Sequence, residues 1–167
     1  MERNSPMPES RKQTETERAG DAAVREETAA EAKPAMRAED LDERIRAAVH
    51  AAGEKKALDV VVLDLREVAS FTDFFVIASG TNVRQVQAIA DAVQEYLRKE
   101  LRVKPARVEG YNSAEWVLLD YGDFILHVFE EKARRFYDLE RLWRDAARVA
   151  LPGESAPGGE GSLRIER

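Results

Sequence analysis

The sequence predicts a domain of the α/β (α+β) class, with element order α-β-β-α-β-β-β-α and a mixed sheet of about five strands flanked by helices. Three observations support this. Short β-branched runs alternate with longer stretches whose apolar residues recur at helical spacing. The first two strand-like runs, LDVVVLD and FTDFFVIAS, are separated by only about six residues, too few for a parallel crossover, so they should pair antiparallel. Finally EWVLLDYGDFILHVF, Glu115 to Phe129, places two apolar runs on either side of Tyr121, Gly122 and Asp123 and reads as a β-hairpin.

The elements follow in chain order. Residues 1–39 are rich in Glu, Ala, Arg, Thr and Ser, and apart from Val24 and the methionines they lack large apolar side chains. Such a composition cannot offset chain entropy, which predicts a disordered extension with a transient helix near Ala22 to Ala32. The ordered domain is expected over 40–151. Asp40 can cap a first helix with Glu43 three residues on, and Leu41, Ile45, Ala48, Val49 and Ala52 recur along it until Gly53. Leu58 to Asp64 is apolar enough for a strand buried on both faces, and Phe71 to Ser79 is the second strand. Asn82 caps the next helix with Gln85 at its third position; Val83, Val86, Ile89, Ala90, Val93 and Leu97 line one side as far as Arg98, Lys99 and Glu100. Pro105 to Glu109 is a brief third strand, and the hairpin follows it. Phe136, Leu139, Leu142, Trp143, Ala146 and Val149 then repeat as an amphipathic C-terminal helix, with a fresh start at Asp138 and a stop at Pro152. The remaining stretch, 152–167, is a flexible tail by composition.

A chain of 167 residues with 44% hydrophobic content can build one core. Its net charge is −6, but residues 1–40 hold ten Asp or Glu against seven Lys or Arg, so the domain itself is close to neutral. It lacks the basic footprint that phosphate contacts require, which disfavours direct sequence-specific nucleic-acid binding and points to a protein partner, a basic one. Without cysteine there is no disulfide, thiol nucleophile or thiolate metal site. No run approaches the roughly 18 apolar residues of a membrane span, and the N-terminus has no signal-peptide core, so a cytoplasmic protein without a membrane role is expected.

Candidate chemistry is sparse. His50 and His127 have no spaced carboxylate partners and read as structural, so no metal site is expected. Ser79, Gly80 and Thr81 stand where a strand hands over to a helix, a place where phosphate can bind, but the spacing is not that of a P-loop. A nucleotidyltransferase would need a close Asp-x-Asp pair nearby to hold two metal ions. Asp91 stands alone in a helix, and Asp59 and Asp64, five apart on one strand, face opposite ways. No catalytic residue and no cofactor are expected.

The first hairpin strand sends Trp116, Leu118 and Asp120 to one face and Val117, Leu119 and Tyr121 to the other. A tryptophan at such a position is commonly a core residue. A carboxylate on the same face would be costly to bury unpaired, and Trp, Leu and Asp together also suit a binding patch with an aromatic anchor. The residues alone leave both readings open. RRFYDLERLW shares the ambiguity: Phe136, Leu139 and Trp143 should pack inward, leaving Arg134, Arg135 and Tyr137 available.

As a set, DLREVASFTDFFVIASGTNVRQVQAIADAV, WVLLDYGDFILHVF and RRFYDLERLW resemble the RsfS (Iojap-like) family of ribosomal silencing factors over about Leu41 to Leu151. The resemblance implies a nucleotidyltransferase-like fold without catalytic residues. It also implies a protein that binds the large ribosomal subunit through ribosomal protein uL-fourteen, blocks joining of the small subunit, and represses translation under nutrient limitation. The family's W-x-L-x-D region falls on Trp116, Leu118, Leu119 and Asp120, with Tyr121 adjoining, which makes these the expected partner-binding residues and favours an exposed Trp116. A homodimer in the free state is a further implication. The rivals are an active nucleotidyltransferase-like enzyme using Ser79, Gly80 and Thr81, and a homodimeric adaptor with no ribosomal role.

Overall fold

The computed structural model describes residues 36–152. The expectations for residues 1–35 and for the tail after Pro152 lie outside the described residues. After a 3-10 turn, Ala38–Asp40, the elements are α1 (Glu43–Glu54), β1 (Leu58–Asp64), β2 (Phe74–Gly80), α2 (Val83–Leu101), β3 (Arg107–Glu109), β4 (Trp116–Asp120), β5 (Phe124–Glu130), α3 (Glu131–Tyr137), α4 (Leu139–Leu142) and β6 (Ala147–Val149).

The strands form one mixed sheet in the order β3-β4-β5-β2-β1-β6. β1 and β2 pair antiparallel, as their short connection requires. β2 and β5 are the parallel pair, with Phe74 opposite Phe124 and Gly80 opposite Glu130, and α2 lies in the long connection between them. The hairpin pairs β4 with β5, Trp116 opposite Phe129 and Leu118 opposite His127.

Alternation along these strands sends side chains into two separate cores. On one side Val62, Val76, Val117, Leu119, Phe124, Leu126 and Val128 meet the apolar stripes of α1 and α2, including Ile45, Ala48, Val86, Ile89, Val93 and Leu97. Removing each such side chain from water contributes about 1.5–3 kcal/mol, which is what holds both helices down. The other side gathers Val61, Leu63, Leu65, Phe75, Ile77, Ile125, Phe129 and Leu139. Among the described residues, that side faces the short elements α3 and α4 and the loop leading to β2.

Helix ends follow side-chain chemistry. Asn82 Oδ1 accepts from the Gln85 backbone N–H at 2.9 Å, the expected cap of α2. At α1 the cap is Asp42, accepting from Arg44 N at 2.8 Å, and not Asp40, which ends the preceding 3-10 turn.

The class is the expected one, and the sheet has a sixth strand in place of the last part of the expected C-terminal helix. Asp138 adopts the left-handed conformation, φ 47, and so ends α3 and separates it from α4. Residues 147–149 then pair antiparallel with β1, Val149 opposite Val62 and almost wholly buried. An open sheet edge offers a row of unpaired donors and acceptors, a demand that helical periodicity cannot anticipate.

Candidate interaction face of the sheet

Trp116, Leu118 and Asp120 lie on the side of the sheet opposite α1 and α2, and all three are partly accessible. Leu119 and Tyr121, expected to bind a partner with them, point the other way and are buried in the helix-covered core. The reason is the two-residue period of the strand: a contiguous motif cannot present all its side chains on one face. Leu119 and Tyr121 support the strand from behind. Tyr121 stacks on Phe124 with ring centroids 4.8 Å apart, and burial pushes its hydroxyl pKa up to about 12.

The Trp116 indole is half-buried and held on three sides. Its ring lies 4.8 Å from that of Phe129 on β5 and 5.0 Å from that of Tyr137 at the end of α3. Its Nε1–H donates to Nδ1 of His127 at 3.0 Å. His127 in turn meets the Phe75 ring edge-on at 4.5 Å, and Phe75 and Trp143 both touch Phe71. A chain of rings therefore crosses this side of the sheet, from Phe71, which is 57% exposed, to Tyr137 and then Phe136, which is 80% exposed. Burial lowers the His127 pKa to about 3, so the imidazole is neutral at physiological pH.

Asp120 is paired, which resolves the cost of its position. Oδ1 accepts from Gly122 N at 2.8 Å and closes the hairpin turn, while Oδ2 lies 3.7 Å from Arg107. On α3 and α4 the expected orientations are partly reversed. Leu139 is buried and Trp143 half-buried, but Phe136 and Leu142 point outward. Arg134, expected to be available, is drawn in: Nη1 donates to Ser79 Oγ at 2.8 Å and Nε to Glu140 at 2.9 Å. Once α3 starts directly from β5, this arginine lies over the end of β2.

The Ser79-Gly80-Thr81 corner is occupied from within the chain. Arg134 holds the Ser79 hydroxyl, and Gln85 Oε1 accepts from both the N–H and the hydroxyl of Thr81. Gln85 Nε2 ties the corner to the end of α1 through the carbonyls of Lys55 and Lys56, each at 3.1 Å. Asp59 and Asp64 fall at opposite ends of β1, Asp91 bonds the Tyr111 hydroxyl, and His50 sits on the surface of α1 near Glu54. Among the described residues no three His, Asp or Glu side chains gather closely enough to hold a metal ion.

The feature that reading the sequence did not bring out is the pairing of Trp116 with His127. Its signal was present, because the alternation that puts Trp116 on this face also puts Ile125, His127 and Phe129 there, one strand away.

Comparison with known proteins agrees with the resemblance. Residues 38–163 match the family described as RsfS, ribosomal silencing factor during starvation. The ribosomal silencing factor RsfS of Halalkalibacterium halodurans is 42% identical over 111 residues, which is 66% of this chain and 94% of that protein. The chloroplastic protein Iojap of Zea mays is 34% identical, over 71% of this chain and 53% of its own. Among solved structures, a crystal structure of a Bacillus halodurans protein aligns with TM-score 0.58 at 40% identity, covering 65% of this chain and 98% of that one. One from Chromobacterium violaceum aligns with TM-score 0.59 at 35% identity, covering 69% and 94%.

Proposed function

Because the chain belongs to the RsfS family of ribosomal silencing factors, we propose that it binds the large ribosomal subunit through ribosomal protein uL-fourteen and so keeps the small subunit from joining. Translation then falls when nutrients are short. The observation that supports this reading is the partly accessible Trp116, backed by Phe129 and flanked by Leu118, on the side of the sheet that no long helix among the described residues covers. An aromatic anchor set among apolar neighbours with a charged rim is the usual centre of a protein interface.

Such a mechanism needs no turnover. Occupancy of the shared surface is set by concentration over dissociation constant, and burial of tryptophan and leucine at an interface of ordinary size gives nanomolar to micromolar affinity. The protein acts by binding and not as an enzyme, in keeping with a strand–helix corner filled by Arg134 and Gln85. Its place of work is the cytoplasm. Away from the ribosome the same apolar face is closed by a second copy of the chain, which hides it from water.

Co-sedimentation with purified subunits tests the reading. The protein should travel with the large subunit and lower the yield of joined ribosomes. Sedimentation of the large subunit without it, or undiminished joining, overturns the proposal.

A further inference from the structure

We propose that His127 is a positioning residue: its Nδ1 holds the Trp116 indole in one orientation, so that the aromatic anchor of the docking face is formed before a partner arrives. The inference rests on the docking role given to Trp116 and adds the residue that sets its geometry.

His127 is not explained by packing. It is buried beside Phe75 and Phe129, where a leucine would fill the space without a polar atom. Nδ1 accepts the indole N–H, so the imidazole proton sits on Nε2. Nε2 is buried and has no hydrogen-bond partner among the described residues. A buried nitrogen without a partner opposes folding. The side chain thus carries a penalty that an apolar residue would avoid, and what it gives in exchange is the acceptor for Trp116.

That acceptor has a directional effect. Phe129 and Tyr137 touch the indole through ring faces and edges, contacts that tolerate sliding and reversal of the ring. The bond across the β4–β5 ladder does not tolerate them, because only one edge of the indole carries N–H. With the N–H edge fixed on His127, the indole is presented to the partner in a single orientation. An anchor already ordered loses less rotamer freedom on binding, and the gain appears as affinity.

The test begins with the unsubstituted full chain. A long-range proton–nitrogen spectrum should show His127 neutral with its proton on Nε2 and the Trp116 indole N–H protected from exchange; a proton on Nδ1, or a freely exchanging indole, overturns the proposal. Next, His127→Leu should free the indole N–H and weaken binding to large ribosomal subunits by about five- to tenfold. His127→Asn, whose Oδ1 can stand where Nδ1 was, should restore binding to within about twofold, a rescue that a purely structural role does not predict. Trp116→Ala is measured alongside. If Trp116→Ala weakens binding and His127→Leu, folded and with a freed indole, does not, the positioning role alone is refuted. If Trp116→Ala itself binds like the unsubstituted chain, the docking reading has failed and the proposal falls with it.

Discussion

Gly110 passes so close to the Trp116 carbonyl that a Cβ on it would collide with that oxygen. Its φ is +77, so both space and backbone conformation require glycine here. Gly122 in the hairpin turn has φ +89 but nothing within 4 Å of where its Cβ would stand. The two glycines therefore separate strain from collision. Gly122→Ala should destabilise by about 1 kcal/mol, the penalty for a left-handed alanine. Gly110→Ala should lose about 3 kcal/mol or more, because backbone on both sides must move. Urea unfolding measures both, and equal losses would mean the approach at Gly110 is easily relieved.

Acid should unfold this protein through His127. Its folded pKa, lowered to about 3 by burial, lies below the ordinary imidazole value near 6.5, so between those values the unfolded chain binds the extra proton. Stability is unaffected above that window and falls as pH drops through it, at up to about 1.4 kcal/mol per pH unit from this group. Protonation also removes the lone pair that accepts from Trp116. Unfolding free energies measured from pH 7 to pH 4 should show this slope in the unsubstituted chain and a shallower one in His127→Asn. Identical slopes would refute the assignment.

Trp116→Ala should weaken large-subunit binding by roughly 2 kcal/mol or more, the loss expected when an interface anchor is truncated. The half-buried indole also packs on Phe129, so some stability is lost, but the two cores lie on opposite sides of the sheet and the chain should remain folded. Sedimentation against large subunits gives the first quantity and circular dichroism the second. A folded mutant that binds at full strength would remove Trp116 from the site.

The parts of this fold legible in the sequence are those decided locally. β1 appears with its observed bounds, and Asn82 marks the start of α2, because alternation, periodicity and a capping side chain all act within a few residues. The end of the chain shows the limit. Phe136, Leu139, Leu142, Trp143, Ala146 and Val149 suit a helix stripe, yet the left-handed Asp138 interrupts it and the open edge of β1 captures Val149. The β1 edge lies outside the segment, and the left-handed turn at Asp138 is a backbone conformation that apolar spacing does not encode. In the site, alternation alone separates Trp116, Leu118 and Asp120 on the accessible face from Leu119 and Tyr121 in the core, although the family motif runs through all five. The Trp116–His127 bond depends on both register and side-chain angles, and only register can be read from a hairpin sequence.

Phe129 and Phe136 make a last contrast between support and contact. Phe129 is wholly buried beneath the indole, and Phe129→Ala should lose about 3–5 kcal/mol of stability through transfer and cavity terms together. Phe136 stands outside at the far end of the ring chain, against Tyr137, with Leu142 also exposed on the adjoining helix. Its truncation should change stability by no more than about 0.5 kcal/mol, since little of it leaves water on folding. An exposed phenylalanine continuous with the Trp116 patch has a reason to exist if the partner covers it as well. Phe136→Ala should then weaken large-subunit binding by about 1 kcal/mol while leaving the melting temperature in place. If affinity is unchanged, the docking surface stops at Tyr137; if the melting temperature drops steeply, Phe136 packs inward in solution as its sequence spacing suggests.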